Sequence, residues 1–318
     1  MRLEVVRGHE LTPELRRRWR EIQESDPALA SPYLCPELTA AAAAVRDDVY
    51  VGILHEEGEI AGFLPFQRGE DGDGTVVAAG VSDYQAVVVP PGMRWTAEDL
   101  LRGCGLRSWS FTYLVPGQEP FHPFHDQTFT FAAMDLSRGY AAWAEERRAA
   151  GSRLIKDTTR HRRRLEREAG PLRFELDVAD RSVLHDLMRW KSAQYQRTGK
   201  TDWFAIPWVR DLLEALHATR SDTFSGLLSA LWAGDRLIAA HFGIRSRHVW
   251  HWWYPAYDRS LARHSPGLVL DLLMAEQAPA LGIRRIDLGK VCEHKKRLMN
   301  ATYEMARGVA RIESRNAR

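Results

Sequence analysis

Between Phe224 and Lys296 the hydrophobic period changes twice, in an order that builds a site. Two alternating runs, Phe224 to Trp232 and Leu237 to Ile244, flank the turn Ala233-Gly234-Asp235-Arg236. A third run, Val249-Trp250-His251-Trp252-Trp253-Tyr254, is rich in aromatic and β-branched residues, so three antiparallel strands are expected. The pattern then becomes helical. Leu268, Val269, Leu272, Leu273 and Ala275 follow Arg263-His264-Ser265-Pro266-Gly267, with Ser265 at the N-cap and Pro266 at the first helical position. Such a start presents the amides of Gly267, Leu268 and Val269 with the positive end of the helix dipole, an anion site to which Arg263 and His264 add charge. Pro279 and Gly282 end the helix. Arg284-Arg285-Ile286-Asp287-Leu288 then reads as a strand reached by a crossover, and hence parallel to its neighbour.

An antiparallel meander, a helix opening on a glycine-bearing loop and a parallel strand together resemble the acyl-CoA-binding half of the GNAT acyltransferase fold. The stretch Asp287-Leu288-Gly289-Lys290-Val291-Cys292-Glu293-His294-Lys295-Lys296 is similar to the D-hydrophobic-G-x-G-x-E-x-Y-K ending of CelD/BcsL-type acetyltransferases of cellulose and exopolysaccharide synthesis. Asp287, Gly289, Glu293 and Lys296 fit that pattern; Val291 stands at its second glycine and Lys295 at its tyrosine. Lys191 to Gly199 resembles the K-x-x-Q-Y-x-x-T-G segment of the same family, and Ser82-Asp83-Tyr84 its S-D-Y segment.

The resemblance implies an α/β fold of mixed sheets, with two tandem GNAT-like domains and the substrate in a cleft between them, as in the Fem peptidyltransferases. We place the domains at residues 1–135 and 136–318. Acetyl-CoA or another acyl-CoA is the implied cofactor, held by Tyr254, Arg263, His264, Ser265, Gly267 and Leu268. Asp83, Tyr84, Lys191, Tyr195 and Lys296 are implied to hold the acceptor. His251, on the strand that in this fold runs beside the thioester, Glu293 and His294 are the candidates for moving protons. For His251 the alternative is a core histidine among Trp250, Trp252 and Trp253.

Composition bounds the rest. The 318 residues are 45% hydrophobic and 27% charged, ordinary for a globular chain, and the net charge of +2 favours no particular partner. The first residues carry no signal-peptide core and no apolar run nears the ~20 residues of a membrane span, so a cytoplasmic location is expected. Cys35, Cys104 and Cys292 lie far apart, without zinc spacing. His122 and His125, set among Pro120 and Pro123, read as an irregular loop, and no metal is expected there.

Before the central stretch, Leu11 to Glu24 and Glu37 to Val45 read as helices. Val49 to Leu54 and Ile60 to Phe66 form a hairpin that echoes the later one, whose turn we take to be one residue longer. Thr75 to Ala79 and Ser108 to Val115 read as strands, and Trp95 to Gly105 as a helix. From Arg147 to Arg167 cations dominate, on a helix whose stripe is Leu154, Thr158, His161 or Arg162, and Leu165. This helix is either a solvated face or a seat for an anionic ligand such as a polysaccharide, nucleotide-sugar or membrane surface; nucleic acid is the less favoured partner.

The expected function is acyl transfer from acyl-CoA to a sugar hydroxyl or amine of a polysaccharide or its precursor. A Fem-like aminoacyl-tRNA-dependent transferase and a GNAT-like scaffold without catalysis are the alternatives.

Overall fold

A computed structural model of the chain describes residues 2–312. The fold is mixed α/β and divides into two compact units, of which unit 2 is Phe131–Tyr303 and unit 1 is the rest of the described chain.

In unit 1, β1 (Arg2–Arg7) precedes α1 (Pro13–Glu24) and α2 (Pro36–Val45). The hairpin β2 (Val49–Glu56) and β3 (Glu59–Arg68), the short β4 (Asp73–Thr75), α3 (Ala97–Gly103) and β5 (Ser108–Leu114) follow. Then β6 (His125–Asp135) carries the chain into unit 2. There α4 (Tyr140–Ala149), α5 (Leu154–Ala169), β7 (Leu172–Glu175), α6 (Arg181–Thr198) and α7 (Pro207–Ala218) lead to the meander. The meander is β8 (Phe224–Ala233), β9 (Arg236–Ser246) and β10 (Val249–Tyr257), followed by α8 (Pro266–Gln277), β11 (Arg285–Lys290) and α9 (Glu293–Lys296). Finally β12 (Ala301–Arg311) returns the chain to unit 1.

The strand orders are β1-β2-β3-β4-β5-β12 in unit 1 and β7-β8-β9-β10-β11-β6 in unit 2. Each begins with antiparallel neighbours, has one parallel pair (β4–β5, β10–β11) and ends on an antiparallel sixth strand. The sixth strand of each unit is the one that follows the other unit's fifth strand in sequence. The two hairpins occupy the same second and third places. Both turns have two residues, Glu57-Gly58 and Gly234-Asp235, so the second is not longer as expected. Glu57 and Gly58 both have positive φ (52° and 91°), which matches the twist of the flanking strands.

Two other expectations are corrected. The strand ends at Thr75, and Val77 to Ala79 is turn, because the parallel partner β5 reaches only Asp73, Gly74 and Thr75. His125 and Asp126 begin the long strand β6 rather than lying in a loop; the prolines are confined to the 3-10 turn Glu119–Phe124 before it.

Each unit has its own core. In unit 1, Phe66, Trp109, Phe111 and Phe121 pack together, and Trp19 stacks on Phe63 at 4.8 Å. In unit 2, Trp250 and Trp252 of β10 pack with Leu154 and Leu165 of α5 and Val269, Leu270 and Met274 of α8. Full burial of Leu154 and Leu165 contributes about 1.5–3 kcal/mol each, which holds the otherwise charged α5 by one edge. Tight approach at the meander depends on Gly243, whose missing Cβ would overlap the carbonyl oxygen of His251 and stand 2.8 Å from Trp250 Nε1. Gly243→Ala is therefore expected to lose about 3 kcal/mol in urea denaturation, since backbone rather than a flexible side chain must yield.

Candidate active site

The site in unit 2 begins with two strands that stop pairing. β10 and β11 are joined only at Val249–Arg285, Trp250–Ile286 and His251–Asp287. Beyond His251, β10 slips one residue against β9 between Trp252 and Tyr254, leaving Trp253 as a bulge. On the other side β11 slips against β6 between Asp287 and Gly289. Gly289 takes φ 73°, a left-handed conformation that costs glycine least, so the glycine of the Asp287-Leu288-Gly289 motif shapes this bend. A wedge opens between the two strand ends.

Asp287 anchors the narrow end of the wedge. Its side chain is fully buried, forms an ion pair with Arg285 (Nε to Oδ1 2.9 Å), accepts from Arg285 Nη2 at 3.5 Å and takes a hydrogen bond from the Tyr303 hydroxyl, while the Arg285 guanidinium lies 5.4 Å from the Tyr303 ring. His251, opposite Asp287 in the parallel register, is 1% exposed. Behind it His241 is buried among Trp250 and Trp252, and burial first, then His251 and Lys191, push its pKa down to about 3, so that it stays neutral.

At the open end an aromatic chain ties β10 to α6. Tyr254 stacks on Trp253 at 4.9 Å and meets Phe204 edge-on at 5.0 Å, Phe204 stacks on Tyr195 at 6.2 Å, and Lys191 Nζ lies 5.6 Å from the Tyr195 ring. The segment ends at Gly199 in left-handed conformation, which closes α6. Burial, then the Lys200 and Lys295 ammonium groups, push the pKa of Lys191 down to about 8. Lys191 and Lys295 in turn reinforce the effect of burial in holding His294 below the ordinary histidine value. Lys191, His294 and Lys295 therefore share one electrostatic neighbourhood, which brings α6 together with the loop after β11.

Within that loop Cys292 Sγ lies 3.3 Å from His294 Nδ1, and Lys295 Nζ donates to the Lys290 carbonyl at 3.0 Å. Lys296 Nζ pairs with Glu293 at 2.5 Å, and the Glu293 side chain is 88% exposed. Of the side chains expected to move protons, His294 thus stands beside cations and a thiol, Glu293 stands in solvent with Lys296, and His251 is interior.

The start of α8 departs from expectation in three ways. Ser265 occupies the N-cap position, but in left-handed conformation (φ 49°) its hydroxyl makes no cap bond. Its carbonyl accepts from the amide of Val269 at 3.2 Å, so Gly267 and Leu268, and not Val269, offer the first-turn amides. Arg263 and His264 are engaged by Glu168 of α5: Glu168 Oε2 lies 2.6 Å from Arg263 Nη2 and 2.9 Å from His264 Nε2. Hydrogen bonding from Arg263, followed by that from His264, lowers the pKa of Glu168, although burial opposes it. His264 is 3% exposed, whereas the Arg263 side chain is largely in solvent. Space remains at the helix start, where a Cβ on Gly267 would come to ordinary contact distance, 3.4 Å, from Tyr257. Two free amides, a positive dipole end and a small residue fit a phosphate group.

Asp83 and Tyr84 belong to unit 1. Tyr84 is buried and stacks on Tyr33 at 5.9 Å, and Asp83 lies close enough to Tyr113 to add to the burial that raises the phenol's pKa. The rings of His122 and His125 are 5.2 Å apart, and no group of three or more metal ligands occurs among the described residues.

Sequence reasoning missed the Glu168 bridge, the buried set around Asp287 and the Cys292–His294 pair. Only the last had a local signal, a cysteine and a histidine two apart beside the Glu293 motif position.

No curated protein shows a significant match to the sequence. Among solved structures, that of FemX superposes with a TM-score of 0.61 at 9% identity, over 97% of this chain and 96% of its own. The C-terminal domain (DUF2156) of a putative lysylphosphatidylglycerol synthetase from Agrobacterium fabrum gives 0.54 at 14%, over 94% and 91%. A tandem GNAT protein from the clavulanic acid biosynthesis pathway gives 0.51 at 13%, over 97% and 98%. At these identities the likeness is one of fold, and the fold is that of tandem GNAT proteins. Residues 152–297, which contain the meander, the wedge and the start of α8, match the family described as acetyltransferase (GNAT) domain.

Proposed function

We propose that the chain is an acyl-CoA-dependent acyltransferase, acting on a sugar hydroxyl or amine of a polysaccharide or its precursor. The observation that carries the reading is the wedge between β10 and β11, placed in sequence just before a helix whose first amides are free. The pyrophosphate of CoA is assigned to the amides of Gly267 and Leu268, and the thioester to the wedge, with Tyr254 along its wall. His294 is assigned the proton transfer, Lys191 and Tyr195 the acceptor, and Lys296 a supporting charge. The sequence motif around Asp287 supports the sugar acceptor. Residues 1–135 and 136–318 are proposed as the two repeats, each supplying six strands and lending its sixth to the other unit.

Calorimetric titration with acetyl-CoA tests the reading; no heat and no thermal shift at millimolar ligand would sink it. Glu168→Gln sharpens the test, because it removes the anion that pairs with Arg263 at the helix start. CoA is expected to bind about threefold more tightly to that variant, as an exposed charge contributes up to ~1 kcal/mol. Unchanged affinity would place the pyrophosphate elsewhere.

The second reading, transfer from aminoacyl-tRNA, is favoured by one observation. Lys156, Arg160, Arg163 and Arg167 of α5 line a single depression with Asp157 and Thr159. Binding of charged tRNA that falls steeply with salt, without binding of acetyl-CoA, would move the assignment to that class.

A further inference from the structure

We propose that Cys292 is an acyl-accepting nucleophile, so that the acyl group passes through a thioester on this chain before it reaches the acceptor. The inference rests on the acyl-CoA reading above and adds a covalent step to it.

Three observations on different residues converge. The first is access. Of the three cysteines, Cys35 and Cys104 are buried, at 4% and 0% exposure, and burial raises both thiol pKa values, that of Cys104 to about 12. Such thiols are inert as nucleophiles at neutral pH. Cys292 alone among them is exposed. The second is a base. His294 Nδ1 stands 3.3 Å from Cys292 Sγ, a hydrogen-bonding distance for sulfur. Burial, with Lys295 and Lys191, keeps this imidazole neutral at physiological pH and thus able to take a proton. The third is place. Cys292 lies two residues beyond β11, at the open end of the wedge, in the loop that shares its electrostatic neighbourhood with Lys191 of α6. In the same loop Lys295 Nζ donates to the Lys290 carbonyl and Lys296 Nζ pairs with Glu293.

The chemistry balances without a co-reactant. His294 removes the Cys292 proton, and Sγ attacks the acyl carbonyl carbon. The carbon–sulfur bond to CoA breaks, and CoA leaves as a thiolate that takes the proton from His294. One thioester replaces another, so the step is close to thermoneutral. The acceptor amine or hydroxyl then attacks the Cys292 thioester, and its proton returns through His294 to the departing sulfur.

The experiment mixes the full chain with acetyl-CoA in the absence of acceptor, quenches in acid, and reads intact and peptide mass together with released CoA. The expected result is one acetyl group on the Cys292 peptide, labile to hydroxylamine, with one equivalent of free CoA. Cys292→Ala should carry no adduct while still binding acetyl-CoA by calorimetry, and His294→Ala should form it at least ~10-fold more slowly. Adduct formation at the same rate in His294→Ala overturns the dyad, since it marks chemical acylation of an exposed thiol. Binding of acetyl-CoA with no adduct overturns the covalent step and leaves direct transfer. Absence of both binding and adduct overturns the acyl-CoA reading and, with it, this inference.

Discussion

His294→Ala is expected to lower the acyl-transfer rate about 10²-fold while leaving CoA affinity unchanged, the loss typical of a group that moves a proton in the transition state. A pH profile separates this role from a structural one. His294 must be neutral to accept a proton, so the rate rises with pH through its pKa. Burial, Lys295 and Lys191 hold that pKa below the ordinary histidine value, and the acid limb should lie correspondingly low. Lys191 is itself a cation below about pH 8. Lys191→Met removes that charge, so the His294 pKa should rise and the acid limb should move to higher pH. A limb that stays in place in Lys191→Met, or persists in His294→Ala, would assign the titration to another group.

The second large effect is on stability. Asp287→Ala should cost about 3 kcal/mol, measured as a fall in the urea midpoint at unchanged slope. Its carboxylate is fully buried, and its loss leaves the Arg285 guanidinium and the Tyr303 hydroxyl without the group both of them bond. Arg285 keeps a third of its side chain near solvent, which holds the cost to the lower end of the range for broken buried pairs. Tyr303→Phe removes one hydrogen bond and should cost ~1 kcal/mol. Because the three groups form one set, the two losses should combine to less than their sum. Full additivity would show that Asp287 acts through β11 pairing alone.

How much of this was legible depends on the distance over which each signal acts. Periodicity located β8, β9, β10, α8 and β11, and correctly made β11 parallel to β10, because alternation and crossover are local properties of the chain. Leu154, Thr158 and Leu165 were identified as the packed edge of α5 for the same reason. Elements that depend on a distant partner were not legible. β12 pairs with β5 almost 200 residues earlier, and its Ala301-Thr302-Tyr303-Glu304 start carries no strong pattern. In the site, Gly267 and Leu268 were read from helix-start rules, but Glu168, nearly a hundred residues away, decides what Arg263 and His264 can do. The CelD/BcsL likeness rests on motif residues, whereas the fold comparisons support only the broader GNAT assignment.

The return of the chain at β12 has a consequence for synthesis. Phe131–Tyr303 is contiguous and can close its core as soon as Tyr303 has left the ribosome, whereas unit 1, begun first, has an open β5 edge until β12 arrives. The stretch between Leu114 and Ala301 takes on the order of ten to forty seconds to make, at ~5–20 residues per second. Throughout that interval Trp109 and Phe111 belong to a strand with one unpaired side, the arrangement that invites wrong partners. The usual order, in which the N-terminal domain is finished first, is thereby reversed. A nascent chain stalled before Ala301 should be protease-sensitive in its first 130 residues and dependent on chaperones there.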